Sequence, residues 1–269
     1  MIYLESPPSI RYAGRIRCFW AIEDDASTGD SMQPVLPDGC PELIFNLSDR
    51  FRKLNTKNEY EFQPRTIAAG QLTKHLLIGP SGKVSLFGVR FKPAGAFGVF
   101  RFPLSQLTDR IECLGDIWGS NEDRLHEKLA SAGNVNDRIY VFERYLDELD
   151  VTELACFKEM EHAVCSLEIG RISVSKLAIE LGWSERRLER RFDQHIGLSP
   201  KFFSRINRFQ RLIRTLESGT VDDLAGTAIE CGYYDQPHMN REFASFAGTS
   251  PMAFLESSHR MSELFVGGE

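Results

Sequence analysis

Apolar positions along this chain follow two rhythms, and the change between them divides the sequence. Over residues 1–102 the apolar runs are short and β-favouring, at 15–22, 41–47, 74–78 and 84–91, with turn residues between them. Strands of this length and spacing predict a sandwich or a barrel. Gly79-Pro80-Ser81-Gly82 separates the last two runs and predicts that they pair as a hairpin. Beyond residue 103 the rhythm turns helical. Residues 121–131 and 136–149 predict helices, and in the second Ile139, Phe142, Leu146 and Leu149 make one apolar stripe. Two uses of that stripe stay open: packing against the strand region, or pairing with a second copy of the chain. From about Val151 the pattern is helical throughout. The fold class expected is therefore α+β. It has a β-rich barrel-like or sandwich-like domain at 1–102, a helical linker at 103–150, an all-α domain at 151–257 and a tail at 258–269.

The helical domain repeats itself. Ala178-Ile179-Glu180-Leu181-Gly182-Trp183 returns as Ala228-Ile229-Glu230-Cys231-Gly232-Tyr233. Phe192, with Gly197-Leu198-Ser199-Pro200 following, returns as Phe243 with Gly248-Thr249-Ser250-Pro251. Two copies are too few for a solenoid and fit a duplicated small unit. Each copy predicts helix, glycine turn, helix. In the first, Ser173 and Ser184 suit N-caps, and Gly182 suits the left-handed residue that ends a helix. Leu188 and Phe192 then form an inward i, i+4 pair and leave Arg186, Arg187, Glu189, Arg190 and Arg191 outward or flanking. In the second, Asp235 caps a helix over about 236–244, with Pro237 in its first turn, where no intrahelical donor is needed. Met239 and Phe243 point inward, and Gln236, His238, Asn240 and Arg241 point out.

Charge sharpens this picture. The whole chain carries −6, which on its own speaks against a nucleic-acid partner. Yet residues 171–214 hold 11 Lys and Arg against 4 Asp and Glu, whereas residues 215–269 hold 2 against 9. Phosphate neutralisation needs a local basic face, not a basic whole. A short helix held by its apolar side and crowded with arginine suits a major-groove reader. Arginine bonds guanine in bidentate fashion, Glu189 could accept from cytosine, and glutamine and asparagine suit adenine. Base-reading candidates are therefore Arg186, Glu189, Arg190, Gln236, His238, Asn240 and Arg241. Between the units, 199–216 predicts one helix about 27 Å long at 1.5 Å per residue. It carries basic residues better suited to phosphate than to bases. The phosphate candidates are Arg187, Lys201, Arg205 and Arg208.

These residues resemble the AraC family of transcription regulators over about 172–255. The densest stretches are Cys231-Gly232-Tyr233-Tyr234-Asp235-Gln236-Pro237-His238, Arg241-Glu242-Phe243 and Gly248-Thr249-Ser250-Pro251. The resemblance implies two helix-turn-helix subdomains joined by a long helix, base-reading positions in both second helices, and action as an activator or a repressor. Asn240 departs from the apolar residue usual there. At the other end, the run from Leu36 through Asp38-Gly39-Cys40-Pro41 to Phe45, and Phe87-Gly88-Val89-Arg90-Phe91-Lys92-Pro93, resemble a domain of unassigned function with a cupin-like barrel. That implies an effector-sensing or dimerising role. The partners expected are a double-stranded DNA operator, a small-molecule effector, RNA polymerase if the chain activates, and a second copy of the chain.

Other chemistries find less support. A cupin-type metal enzyme would need clustered histidines with a carboxylate, and residues 1–120 contain His75 alone. A thiol stress sensor at Cys40 is disfavoured because neighbouring Asp38 and Glu42 should raise the thiol pKa. Gly79–Lys83 lacks the spacing of a phosphate-binding loop, and no nucleophile elbow occurs. No metal, cofactor or catalytic residue is therefore expected. The six cysteines are scattered, no apolar run is long enough to span a bilayer, and no secretory leader is evident, so a cytoplasmic setting is expected.

Overall fold

The computed structural model describes residues 2–24, 32–55, 57–149, 156–170, 172–218 and 223–256. The tail expected at 258–269 and the boundary expected at 150–151 lie outside them. Among the described residues the N-terminal region contains ten strands: β1 Ile2–Ser6, β2 Ile16–Asp24, β3 Gln33–Val35, β4 Glu42–Asn46, β5 Arg52–Leu54, β6 Tyr60–Phe62, β7 Thr66–Ala69, β8 Leu76–Gly79, β9 Val84–Phe91 and β10 Ile111–Cys113. They form two antiparallel sheets, ordered β1-β2-β9-β4-β7-β10 and β3-β8-β5-β6. The sheets do not close into a barrel. The sandwich-like form is the one found.

The expected hairpin at 79–82 does not form. Strand β8 pairs with β3 and β5, whereas β9 pairs with β2 and β4, so the turn carries the chain from one sheet to the other. Its end is pinned by Asp49, whose Oδ2 accepts from the Lys83 N–H at 2.8 Å. Glycine-proline chemistry marks a turn correctly, but it does not say whether the flanking strands pair with each other.

Two cores flank the larger sheet. On one face Phe19, Phe45 and Phe87 meet helices α3 (Asn121–Ser131) and α4 (Val135–Glu148), which follow the short helices α1 (Phe97–Phe100) and α2 (Leu114–Trp118). Phe142 stands edge-on to Phe19 and Phe45, with ring centroids 6.0 Å away from each. Phe142 and Leu146 are fully buried here, so the α4 stripe packs within the chain. On the other face Trp20, Phe51 and Leu86 form a smaller core between the sheets. Gly88 allows this, because a Cβ there would lie 1.9 Å from the Trp20 ring.

The C-terminal region is helical: α5 Phe157–Ile169, α6 Val174–Glu180, α7 Glu185–His195, α8 Pro200–Glu217, α9 Leu224–Glu230, α10 Gln236–Ala247 and α11 Pro251–Glu256. One apolar core runs through it and takes in Leu36 and Ala94 from the N-terminal region. The two regions also meet through polar groups. Gln210 of α8 donates to the Pro37 carbonyl at 2.7 Å, and Thr108 Oγ1 donates to the Gly197 carbonyl at 2.6 Å. The His75 N–H donates to the Phe246 carbonyl at 2.8 Å. No described helix is long and apolar enough to cross a membrane.

Candidate nucleic-acid interface

The second helices of the two units, α7 and α10, are built by the same local rules. Ser184 caps α7 by accepting from the Arg187 N–H at 3.2 Å, and Asp235 caps α10 by accepting from the His238 N–H at 2.7 Å. Each satisfies one of the donors that a helix start leaves open. The preceding turns hold Gly182 at φ +64° and Gly232 at φ +89°, where glycine alone escapes a steric penalty. Leu188 and Phe192 on α7, and Met239 and Phe243 on α10, are fully buried. Fixing those pairs fixes which arc of each helix faces out.

On α7 that arc holds Arg186, Arg187, Glu189 and Arg190, all exposed. Arg187 lies over the Trp183 ring at 4.8 Å, which holds its guanidinium at the foot of the turn. On α10 Asn240 and Arg241 are exposed, while Gln236 and His238 are half-buried. His238 is partly committed: its Nδ1 lies 3.4 Å from the Tyr234 N–H, and its ring meets Tyr233 edge-on at 5.5 Å.

The phosphate candidates divide. Lys201 is exposed at the start of α8. Arg205 and Arg208 instead converge on Glu242 of α10, which is only 6% exposed. Arg205 Nε lies 2.7 Å from Glu242 Oε2. Arg208 donates to both Glu242 oxygens, at 2.7 Å and 2.9 Å from Nη2 and at 3.0 Å from Nε. Aromatic rings complete the setting: Phe202 and Phe246 beneath Arg205, and Tyr233 beneath Arg208. This cluster ties the long helix α8 to α10. Sequence reasoning missed Glu242, since its partners lie 34 and 37 residues away. The one available signal was the acid itself, placed directly before Phe243 where the first copy has Arg191 before Phe192.

Even so, Lys201, Arg205, Arg208 and Arg241 line one open cleft between α8 and α10, with Glu242 as its single acid. Three acids of the second unit have structural tasks. Asp223 and Asp235 are N-caps and Glu242 is the buried clamp.

The N-terminal region docks on both units at the same place in the repeat. Gly197 (φ +88°) and Gly248 (φ +75°) each follow a reading helix. A Cβ on Gly197 would meet the Leu104 carbonyl at 2.9 Å, and one on Gly248 would meet the His75 ring at 2.3 Å. Beside the first, Ser105 donates to Asp193 at 3.0 Å and Phe97 covers His195 at 4.1 Å. Among the described residues no group of three or more His, Cys, Asp or Glu could hold a metal ion. At Cys40, burial and Asp38 push the thiol up to about 12, outweighing the pull of Arg17.

Two capped helix pairs, a long helix between them and an exposed polar arc on each second helix define a DNA-binding double helix-turn-helix domain. Residues 177–257 match the family model of a helix-turn-helix domain, of the AraC type, and residues 4–112 match that of a domain of unknown function, DUF6597. The chain is accordingly a DNA-binding transcription regulator. No curated protein matches it at a significant level. Similar solved structures include ToxT from Vibrio cholerae, at 10% identity and TM-score 0.48, covering 88% of this chain and 98% of that one. Wild-type ToxT of strain SCE256 with bound unsaturated fatty acid gives 12% and 0.47, covering 88% and 94%. A probable AraC family transcriptional regulator from Rhodopseudomonas palustris CGA009 gives 23% and 0.34, covering 37% and 95%.

Proposed function

We propose that α7 and α10 enter successive major-groove segments of one operator. Arg186, Glu189 and Arg190 read bases from the first helix, and Gln236, Asn240 and Arg241 read them from the second, with His238 in a lesser, positioning role. Arg187, Lys201 and the rim of the α8–α10 cleft hold phosphates. The observation that carries this reading is the pair of reading helices with fixed apolar sides and exposed polar arcs. Selection of bound sequences from a random duplex pool, followed by footprinting, tests it. Two adjacent protected major-groove segments are expected. One segment would remove the second unit from base reading.

We further propose that an effector in the N-terminal region tunes operator affinity. A ligand shifts such an equilibrium only through different affinities for two states. Support comes from the docking geometry. A cavity of about 80 Å³ lies between the two sheets. Its walls include Leu36, Asp38 and Cys40 beside the Gln210 and Phe203 contacts, and Leu72 and Leu76 beside the His75 contact. A change in those walls therefore reaches α8 and the end of α10 directly. RNA polymerase is the further partner if the chain activates, and a second copy would double the operator.

A further inference from the structure

The cavity between the sheets is apolar over most of its lining, with Ile44, Phe51, Ile78 and Leu86 among its walls. Its polar groups are unevenly matched. Asp38, Glu42 and Asn46 present oxygen acceptors, Gln63 adds one amide, and Arg90 is the only cation in the lining. That cation is already engaged: its Nε lies 2.6 Å from Glu42 Oε1 and 3.6 Å from Asp38 Oδ2, with the side chain 5% exposed. Glu42 Oε1 also accepts from Trp20 Nε1 at 3.3 Å. Two carboxylates thus share one buried guanidinium. Asn46 is 1% exposed; its Nδ2 donates to the Pro64 carbonyl, while its Oδ1 is buried with no partner among the described residues. A buried acceptor without a donor costs about 1–3 kcal/mol, so it marks a place where a donor belongs.

Each ligand class meets this lining differently. A carboxylate would add a third negative group to a dry site with one spent cation, and desolvating an unpaired charge is costly. A neutral alcohol could satisfy Asn46 and leave the carboxylate excess as it was. An ammonium balances that excess and brings up to three donors. Arg17 offsets part of the Asp38 charge from outside the lining, with Nη1 3.2 Å from the Cys40 sulfur. The lining itself still holds two carboxylates against Arg90.

We propose that this cavity is a binding site for a compact apolar amine, its ammonium held by Glu42 and Asp38 and its hydrocarbon part held by the walls between the sheets. Burial pushes the Glu42 carboxyl above its ordinary range against the pull of Arg90, and a second cation beside it would pull in the same direction as Arg90. The ligand class rests on the sensing role proposed above only for its regulatory consequence, and the two are separable by experiment.

Calorimetric titration of the full chain with isoamylamine, isoamyl alcohol and isovalerate compares three head groups on one branched five-carbon skeleton. Isoamylamine should bind at least about tenfold tighter than the alcohol, and isovalerate should give no heat, as expected for a charge left unpaired on burial. The substitution Asp38→Asn should weaken the amine several-fold while the chain still melts cooperatively. Ala69→Leu, which fills the cavity from its wall, should abolish amine binding without touching a charged group. Isovalerate binding as well as the amine, no amine binding at millimolar concentration, or equal amine binding by Ala69→Leu would each overturn the proposal. Amine binding that leaves operator affinity unchanged would uphold the site and remove the sensing role.

Discussion

The two helix-turn-helix units share a skeleton and differ in what they do with charge. Position by position, Ser184 corresponds to Asp235, Leu188 to Met239, Arg190 to Arg241, Phe192 to Phe243 and Gly197 to Gly248. Cap, inward pair and helix-ending glycine keep their chemistry because each is set by the backbone or the core. The outward positions are free of that constraint and have diverged. The first unit offers Arg186, Arg187, Glu189 and Arg190 to solvent on the outward arc of α7. The second offers Asn240 and Arg241, and turns an acid, Glu242, inward to hold two arginines of α8. A strongly acidic sequence can therefore carry a basic cleft, since of its acids only Glu242 is among the described residues that line the cleft.

The largest expected effect lies where the units differ most. Glu242→Ala leaves Arg205 and Arg208 facing each other without their shared acceptor. Breaking a buried pair typically costs about 3–5 kcal/mol, and the arginines' partial exposure, 34% and 24%, places the expected loss near the lower end. Arg191→Ala at the corresponding position of the first unit should cost less than about 1 kcal/mol, since that half-buried side chain has no ion pair to lose among the described residues. Urea unfolding of both variants measures the contrast. Equal losses would mean that Glu242 is not a structural difference between the units.

Next comes the pair of matched arginines. Arg190→Ala should cost about 1–3 kcal/mol in operator affinity and relax discrimination at one base pair. Arg241→Ala should cost less, because α10 presents fewer charged neighbours around it. Titrations against the selected operator and single-base variants of it check this. A larger loss at Arg241 would make the second unit the anchor.

A smaller effect separates Lys201 from Arg205. Lys201→Ala should lower the slope of log affinity against log salt by about 1, as for a lost phosphate contact. Arg205→Ala should change it by less than half as much, since its guanidinium is already held by Glu242. Matching slopes from the two variants would show that the clamp opens on DNA.

What the sequence made legible followed from local rules. Ser173, Ser184 and Asp235 each cap the helix they were expected to cap, and α3 spans its expected residues 121–131. Those features depend on residues a few positions apart. What stayed hidden depends on partners far along the chain. The swap of β8 and β9 between sheets, the Glu42–Arg90 pair 48 residues apart and the Arg208–Glu242 pair have no local signature. The edge strands β1 and β10 also escaped, for each is short and gains its place only by pairing with β2 or β7. At the candidate interface the exposed arcs were legible from the inward pairs, and the neutralised arginines were not.

The last contrast concerns the ends of α7 and α10. His195 closes α7, and its counterpart at the end of α10 is Phe246. His195 is 3% exposed against Phe97, and its Nε2 has no hydrogen-bond partner among the described residues. Burial, with nearby Arg191 adding to it, lowers its pKa from 6.5 to about 4. The unfolded chain therefore binds the proton more readily than the folded one in that window. Stability is at its full value above about pH 6.5, falls as pH drops, and levels off below about pH 4. Between pH 7 and pH 6 the loss should be under about 1 kcal/mol. The second unit supplies the control for this effect. His195→Phe copies Phe246 into the first unit, and should flatten this part of the stability profile while keeping the aromatic contact with Phe97. Denaturant melts at pH 7, 6 and 5 on both proteins decide it, and a slope that survives the substitution would assign the proton to another group.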